Sequence, residues 1–362
     1  MNGTGSARGF TIVELMISMA VMLVVTGAIF RILDPSHAAA QVQPEALDMQ
    51  QRMRVASDLL FRDLARAGAG PDLTAPTGSL AQVLPSVLPR VLGATAPDAP
   101  DAAYGDRITL VTVRQSASQT TINTVLPAPS SPLTVNEPAT CPAGRPVCGL
   151  AVNDEAVIFD GTGSFDLFSI ASVAGSAAGL ELLGESMSAV YLPGAVVAKA
   201  SSRSYYRDAS TNTLMVYDNG AGAALPLVDN VVGLAFEYFG DPSPPVHPKP
   251  PLGVANCLYD AKGDYSAAGM LTLASDGSLA ALPLAMFSDG PWCGGGTNLF
   301  DADLMRIRRI RVTIRIQTPL AALRGQNGAL FAKPGTSREG LRQLPDLVAA
   351  FSVAPRNLNL DR

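Results

Sequence analysis

Residues 10–30 limit what this chain can become more than any other part of it. From Phe10 to Phe30 the run is apolar apart from Thr11, Glu14, Ser18 and Thr26, with a single glycine, Gly27. At ~1.5 Å per residue a helix over this stretch is roughly 30 Å long, enough to cross the hydrocarbon core of a bilayer. Nine polar, glycine-rich residues precede it, and Arg8 is their one charge. A secretory signal would show a basic head, a shorter apolar core and a small-residue cleavage site after that core. Here the small residue, Gly9, comes before the apolar run, and nothing resembling Ala-x-Ala follows. Arg8 on the N-terminal side favours a cytoplasmic N-terminus. One residue sits badly in this segment. Glu14 is a carboxylate in a membrane-entering run with no basic neighbour, and a charge in hydrocarbon is costly.

The stretch Gly9-Phe10-Thr11-Ile12-Val13-Glu14-Leu15-Met16 resembles the cleavage and methylation motif of type IV prepilins and type II secretion pseudopilins. The resemblance implies a prepilin peptidase that cuts between Gly9 and Phe10, N-methylation of Phe10, and a role for Glu14 in assembly. It also accounts for the carboxylate. Cleavage creates a positive terminus at Phe10 inside the membrane, and Glu14 of an incoming subunit can pair with that terminus on a neighbour. An unpaired charge in hydrocarbon is expensive, so the pairing both recruits the subunit and sets its axial register. The alternative is that Glu14 lies at the membrane interface and stays hydrated.

Beyond the apolar run, Asp34-Pro35 is expected to disturb the helix, because proline lacks the amide donor and disfavours helix at the residue before it. Pro44 suits the first turn of a renewed helix. Met49, Met53, Ala56, Leu60, Leu64 and Ala67 recur at steps of four and three and predict a core-facing seam against a sheet. Gly68, Gly70 and Pro71 end it. Residues 71–104 read as a long irregular connection with a short helix around Leu80–Leu92. Strands are predicted at 107–113, 156–159, 167–173, 191–197, 203–206, 213–217, 230–239, 306–316 and 347–353. One helix followed by many strands is an α+β pattern. The matches along residues 60–68, 204–238, 309–316 and 355–358 resemble the W-type minor pilin, with the J-type pseudopilin as a near relative.

Two stretches read as insertions. One runs over 240–304 and opens on the proline-rich, semi-rigid Gly240-Asp-Pro-Ser-Pro-Pro-Val-His-Pro-Lys-Pro-Pro251. The other is the Pro/Ser stretch 127–142. Four cysteines fall in or beside them: Cys141, Cys148, Cys257 and Cys293. None forms a Cys-x-x-Cys pair, and with only His37 and His247 available a zinc site is not expected. Placed beyond a membrane segment, they read as two disulfides in an oxidising compartment. Proximity pairs Cys141 with Cys148 and Cys257 with Cys293, out of three possible connectivities; four free thiols are the alternative. Such loops serve either for recognition or as staples alone.

No nucleophile elbow, zinc-protease, phosphate-loop or dinucleotide motif occurs, and two histidines leave little for acid–base catalysis. No enzyme, cofactor or metal is therefore expected. Asp160-Gly-Thr-Gly-Ser-Phe-Asp166 has oxygen ligands but lacks a full calcium-loop pattern, and reads better as a turn between strands. Arg309, Arg311 and Arg315 share one face of a strand, which is either a solvated sheet face or a surface for phosphates or an acidic subunit. The net charge of −5 speaks against nucleic acid as a partner.

The resulting expectation is a leader at 1–9, a transmembrane helix at 10–33, an amphipathic helix at 34–70 and a β-rich periplasmic domain at 71–362 with an insertion at 240–304. The fold is α+β and pilin-like, a long N-terminal helix packed on an antiparallel β-rich domain. The expected role is a minor pilin near the tip of a type IV pilus that primes assembly, anchored by a single pass in the inner membrane before it reaches the cell-surface pilus. Its partners would be prepilin peptidase and other minor and major pilins. The alternatives are a type II secretion pseudopilin and a pilus-borne adhesin or ligand-binding module using 240–304.

Overall fold

The computed structural model describes residues 10–69, 80–93, 97–113, 119–127, 133–137, 141, 146–173, 179–182, 187–219, 222–266, 269–275, 278–338 and 343–359, with backbone alone for 30–41 and 179–182. The chain divides into two compact units, residues 1–51 with 317–347, and residues 52–316 with 348–362.

A single helix, α1 (Ile12–Arg66), begins the fold. It runs without interruption through Asp34-Pro35, so the expected disturbance there does not break the helical backbone. In the first unit, the chain after residue 316 is tied to this helix by the Thr318 hydroxyl, which donates to Glu45 Oε2 at 2.9 Å. That loop is braced from within. Gln317 Nε2 donates to Asp346 Oδ1 at 2.8 Å, and Arg324 Nη1 donates to Gln317 Oε1 at 2.8 Å.

The second unit begins with the last turns of α1. There the predicted seam is buried at Met53, Ala56, Leu60, Leu64 and Ala67, all at most 7% exposed; Met49, which belongs to the first unit, is buried as well. Gly68 follows with φ +73°, a left-handed conformation that suits the residue closing a helix. Its tight packing also excludes a side chain, since a Cβ there would lie 2.7 Å from Leu358 Cδ2. Helix α2 (Leu80–Val83) is one turn long. The helix expected around Leu80–Leu92 stops there because Pro85 and Pro89 cannot donate to a helical ladder, and the chain turns extended instead.

Ten strands then build one sheet: β1 (Val87–Leu88), β2 (Arg107–Val113), β3 (Gln119–Thr121), β4 (Leu133–Thr134), β5 (Glu155–Phe159), β6 (Phe165–Val173), β7 (Gly179–Leu182), β8 (Val196–Asp208), β9 (Thr213–Asp218) and β10 (Ala223–Val228). The main path is β1-β2-β8-β5-β6-β7-β4, with β3 and β9 also on β8 and β10 on β9. β8 is the spine. Its first residues pair with β3 and β5, its later ones with β2 and β9, all antiparallel. The strands expected at 191–197 and 203–206 thus become one strand starting at Val196. Tyr191 makes only an isolated bridge to Leu126, and a turn at Pro193-Gly194 separates it from β8. The serines inside β8 are buried and bonded: Ser202 N–H donates to Glu155 Oε2 at 2.9 Å, and Ser204 and Thr109 share a hydroxyl contact of 2.6 Å.

β11 (Val231–Gly240) and β12 (Ala280–Leu282) open a second sheet. A two-stranded ribbon of β13 (Trp292–Cys293) and β14 (Phe300–Asp301) follows. β15 (Ile307–Ile316) and β16 (Leu347–Val353) complete the second sheet in the order β12-β11-β15-β16. Along β15 the side chains alternate. Ile310, Val312, Ile314 and Ile316 are fully buried, while Arg309, Arg311 and Arg315 lie on the other face. α1 meets the two sheets through Phe61, whose ring centroid is 6.3 Å from that of Phe351 on β16, and through Asp63. Asp63 Oδ2 accepts from the Tyr205 hydroxyl at 2.6 Å and pairs with Arg203 at 3.2 Å; Arg203 also reaches Asp218 at 3.1 Å. The molecule is α+β, an N-terminal apolar helix leading into a β-rich part of antiparallel sheets.

Candidate assembly site at the head of the apolar helix

The head of α1 carries the candidate site. Gly9 lies outside the described residues, and Phe10 is exposed. The first helical hydrogen bond runs from Leu15 N–H to the Thr11 carbonyl at 3.2 Å, which makes Thr11 the cap residue. The Thr11 N–H and its hydroxyl both donate to Glu14 Oε2, each at 3.0 Å, and the same hydroxyl accepts from Glu14 N–H at 3.3 Å. This reciprocal arrangement is a capping box, in which two helix-end donors are satisfied by a Thr and a Glu three residues on. Ser18 Oγ donates to the Glu14 carbonyl at 2.8 Å, keeping that hydroxyl satisfied within the helix. Glu14 therefore serves its own helix through one carboxylate oxygen. A reading of Glu14 for its charge alone does not reach Thr11; the signal for the cap is the Thr-x-x-Glu spacing of Thr11-Ile-Val-Glu14.

Behind this head, Ile12–Ile29 is apolar enough to span a membrane, and none of it is buried by the rest of the chain. Val13, Leu15, Met16, Met22, Leu23 and Val24 are exposed around the helix. A helix apolar on all sides needs an apolar solvent or other apolar helices around it.

The other residues singled out from the sequence fall elsewhere. Cys141 is joined to Cys148 and Cys257 to Cys293. The second bridge lies in residues 241–306, the long connection between the neighbouring strands β11 and β15, which itself lends β12 to the other edge of β11. Arg306 closes the base of this excursion. Its buried guanidinium donates to the carbonyls of Asp241, Leu271 and Pro242 and to Asp303 Oδ1. Gly240 is required beside it, since a Cβ would fall 2.0 Å from the Arg306 carbonyl oxygen.

Asp160 and Asp166 do not converge on a common point of use. Asp160 accepts from the Thr162 amide and hydroxyl within the β5–β6 turn, and burial pushes its carboxyl up. Asp166 accepts from Ser188 N–H, the Tyr191 hydroxyl and Asn298 Nδ2, at 2.8–2.9 Å. Sequence reasoning did not single out a second acidic group, Asp289, Asp301 and Asp303, whose ligand atoms lie within 4.8 Å of one another. Asp301 accepts from the N–H groups of Asp289, Gly290 and Asp303, and Asp303 is paired with Arg306 at 2.7 Å. On β15, the Arg309 guanidinium lies 4.5 Å from the centroid of Phe239, and Arg311 faces Glu237 at 3.5 Å.

Among known families, the model described as a prokaryotic N-terminal methylation motif matches residues 5–30. The match covers the apolar head and the residues just before it, and includes the turn where Thr11 caps the helix with Glu14. It supports a type IV pilin or pseudopilin, a class that is structural rather than catalytic, processed by prepilin peptidase and assembled with other pilins. The apolar N-terminal helix is consistent with the single-pass anchor of such a chain. No curated protein matches the chain.

Proposed function

We propose that this protein is a minor pilin of a type IV pilus, cleaved after Gly9, N-methylated at Phe10, and stationed near the tip, where it primes assembly. The methylation motif over residues 5–30, heading an apolar helix that the rest of the chain leaves bare, carries this reading. Glu14 is the assembly residue, pairing with the Phe10 amine of a neighbouring subunit. The tip position is argued from bulk. The excursion over 241–306 enlarges the body, and a uniformly packed shaft needs a compact repeating subunit, whereas a tip subunit has no neighbour above it. Partners are prepilin peptidase, other minor pilins and major pilins. The route is inner membrane with a periplasmic body, then pilus. The motif is equally that of a type II secretion pseudopilin, so that reading stays as the second.

Mass spectrometry of the N-terminal peptide from membranes and from sheared filaments tests the proposal. The expected result is a peptide beginning at N-methylated Phe10 in the sheared fraction. The processed peptide in membranes alone would favour a pseudopilin, and an intact Met1 terminus everywhere would overturn both. Glu14→Ala is expected to be cleaved normally yet to be depleted from filaments; assembly at the wild-type level would remove the charge-pairing account.

A further inference from the structure

Glu14 has two carboxylate oxygens, and α1 uses them unequally. Oε2 receives both the amide and the hydroxyl of Thr11, whereas the hydrogen bonds of the described residues include none to Oε1. The Thr11 hydroxyl has a double duty, donating to Oε2 and accepting from the Glu14 amide. The Glu14 amide holds the Thr11 hydroxyl, and the hydroxyl with the Thr11 amide holds Oε2, so the carboxylate is restrained against the first turn of the helix. Ordering a glutamate side chain is entropically expensive, and a partner that meets it already ordered is spared that cost.

We propose that Thr11 is a positioning residue for assembly. By capping the helix it holds Glu14 on one oxygen and presents the other to the incoming partner's ammonium group. This rests on the reading of Glu14 as the assembly residue. The unassembled subunit then enters the membrane with its carboxylate partly satisfied by its own helix, and docking adds a charge to the open oxygen without undoing the cap. The hydroxyl is the required feature. Serine keeps all three bonds, while valine matches threonine in shape and keeps only the backbone one.

The test uses the full-length chain produced in cells that assemble the filament, with incorporation scored as the ratio of processed protein in sheared filaments to processed protein in membranes. Thr11→Val is expected to lower that ratio about fivefold, the change a lost helix cap commonly makes in an equilibrium. Thr11→Ser should stay near wild type, and Thr11→Val combined with Glu14→Ala should be no worse than Glu14→Ala alone. A wild-type ratio for Thr11→Val beside a depleted Glu14→Ala overturns the role of Thr11 and leaves Glu14 standing. An additive double variant also overturns it, because Thr11 would then act independently of Glu14. Wild-type incorporation of Glu14→Ala overturns the reading beneath, and this proposal with it. Should Thr11→Val resist cleavage, amide hydrogen exchange of the detergent-solubilised full chain decides. Faster exchange at Glu14 in Thr11→Val but not in Thr11→Ser supports the cap, and equal exchange in all three overturns it.

Discussion

Two stretches of the same helix, Ile12–Ile29 and the turns from Arg52 to Arg66, behave as if they belonged to different proteins. The first is apolar on every side and bare. The second buries one face, with Ala56, Leu60 and Leu64 fully inside, and turns charged residues outward. Their carboxylates differ in the same way. Asp63 is engaged by Tyr205 and Arg203 from the sheet, and burial together with that carboxylate pushes the Tyr205 hydroxyl's pKa up. Among the described residues, the Glu14 carboxylate is engaged by Thr11 of its own helix. Helical geometry is common to both, so what separates them is the solvent each side chain is fitted to. The second stretch is fitted to the sheets it packs on, and the first to an apolar surrounding outside the described fold.

The comparison breaks most readily with a charge placed in each stretch. Leu60→Asp puts an unpaired carboxylate into a site with no exposure, at a cost of several kcal/mol. That is a large part of the ~5–15 kcal/mol that holds a domain folded. The detergent-solubilised chain is expected to lose its cooperative thermal unfolding. Leu23→Asp should leave that unfolding where it was and weaken retention in membranes, by ~2.5–3.5 kcal/mol on insertion scales. Equal loss of thermal stability in the two variants would mean that the head is buried by its own chain, and the contrast would be gone.

The cross-links sharpen the same contrast, since both belong to the body. The bridged cysteines are separated by 36 residues in one case and 7 in the other. On the chain-entropy account, Cys257→Ser with Cys293→Ser should cost ~4 kcal/mol and Cys141→Ser with Cys148→Ser ~2.5 kcal/mol. Denaturant unfolding of the two double variants would give the order. Membrane retention should be untouched by either, and its loss would tie head and body together in a way the comparison denies.

What could be read in advance follows the same line. The apolar head and the seam from Met49 to Ala67 were legible because a helix writes its environment at a fixed period. β15 was legible because Ile310, Val312, Ile314 and Ile316 alternate with polar residues. β8 was legible at 196–197 and 203–206 but not as one strand, because Ser201 and Ser202 between those stretches look like a loop. They sit in a strand because Glu155, far away in the chain, satisfies Ser202. Short strands such as β3 and β4 have too few residues for any period and exist through their partners. Helix across Pro35 was not foreseen, since a local rule against proline carries no information about what surrounds the helix. In the site, Glu14 was legible as a misplaced charge, and its tie to Thr11 was overlooked although the spacing was there.

The smallest effect concerns whether buried acids in the body are as well served as their hydrogen bonds suggest. Asp301 is fully buried and accepts from three backbone N–H groups; burial, with the neighbouring carboxylates of Asp303 and Asp289, outweighs the Asp303 and Gly290 N–H bonds that pull its pKa down and pushes the carboxyl up to about 6. The folded chain then holds this proton up to about pH 6, whereas the unfolded chain releases it near 3.8. Between those values the folded state binds more protons, so this group's contribution to stability falls as pH rises. Asp301→Asn cannot titrate. Its absolute stability should drop, because the amide turns donors toward backbone donors. Its stability should also fall less steeply with rising pH over that window, by at most about 1.4 kcal/mol per pH unit, the share of one proton. Unfolding curves of both chains from pH 4 to 7 measure the difference in slope. Parallel profiles would mean that Asp301 ionises as an exposed carboxylate does, and that the body's acids are no more enclosed than Glu14 at the open head of the helix.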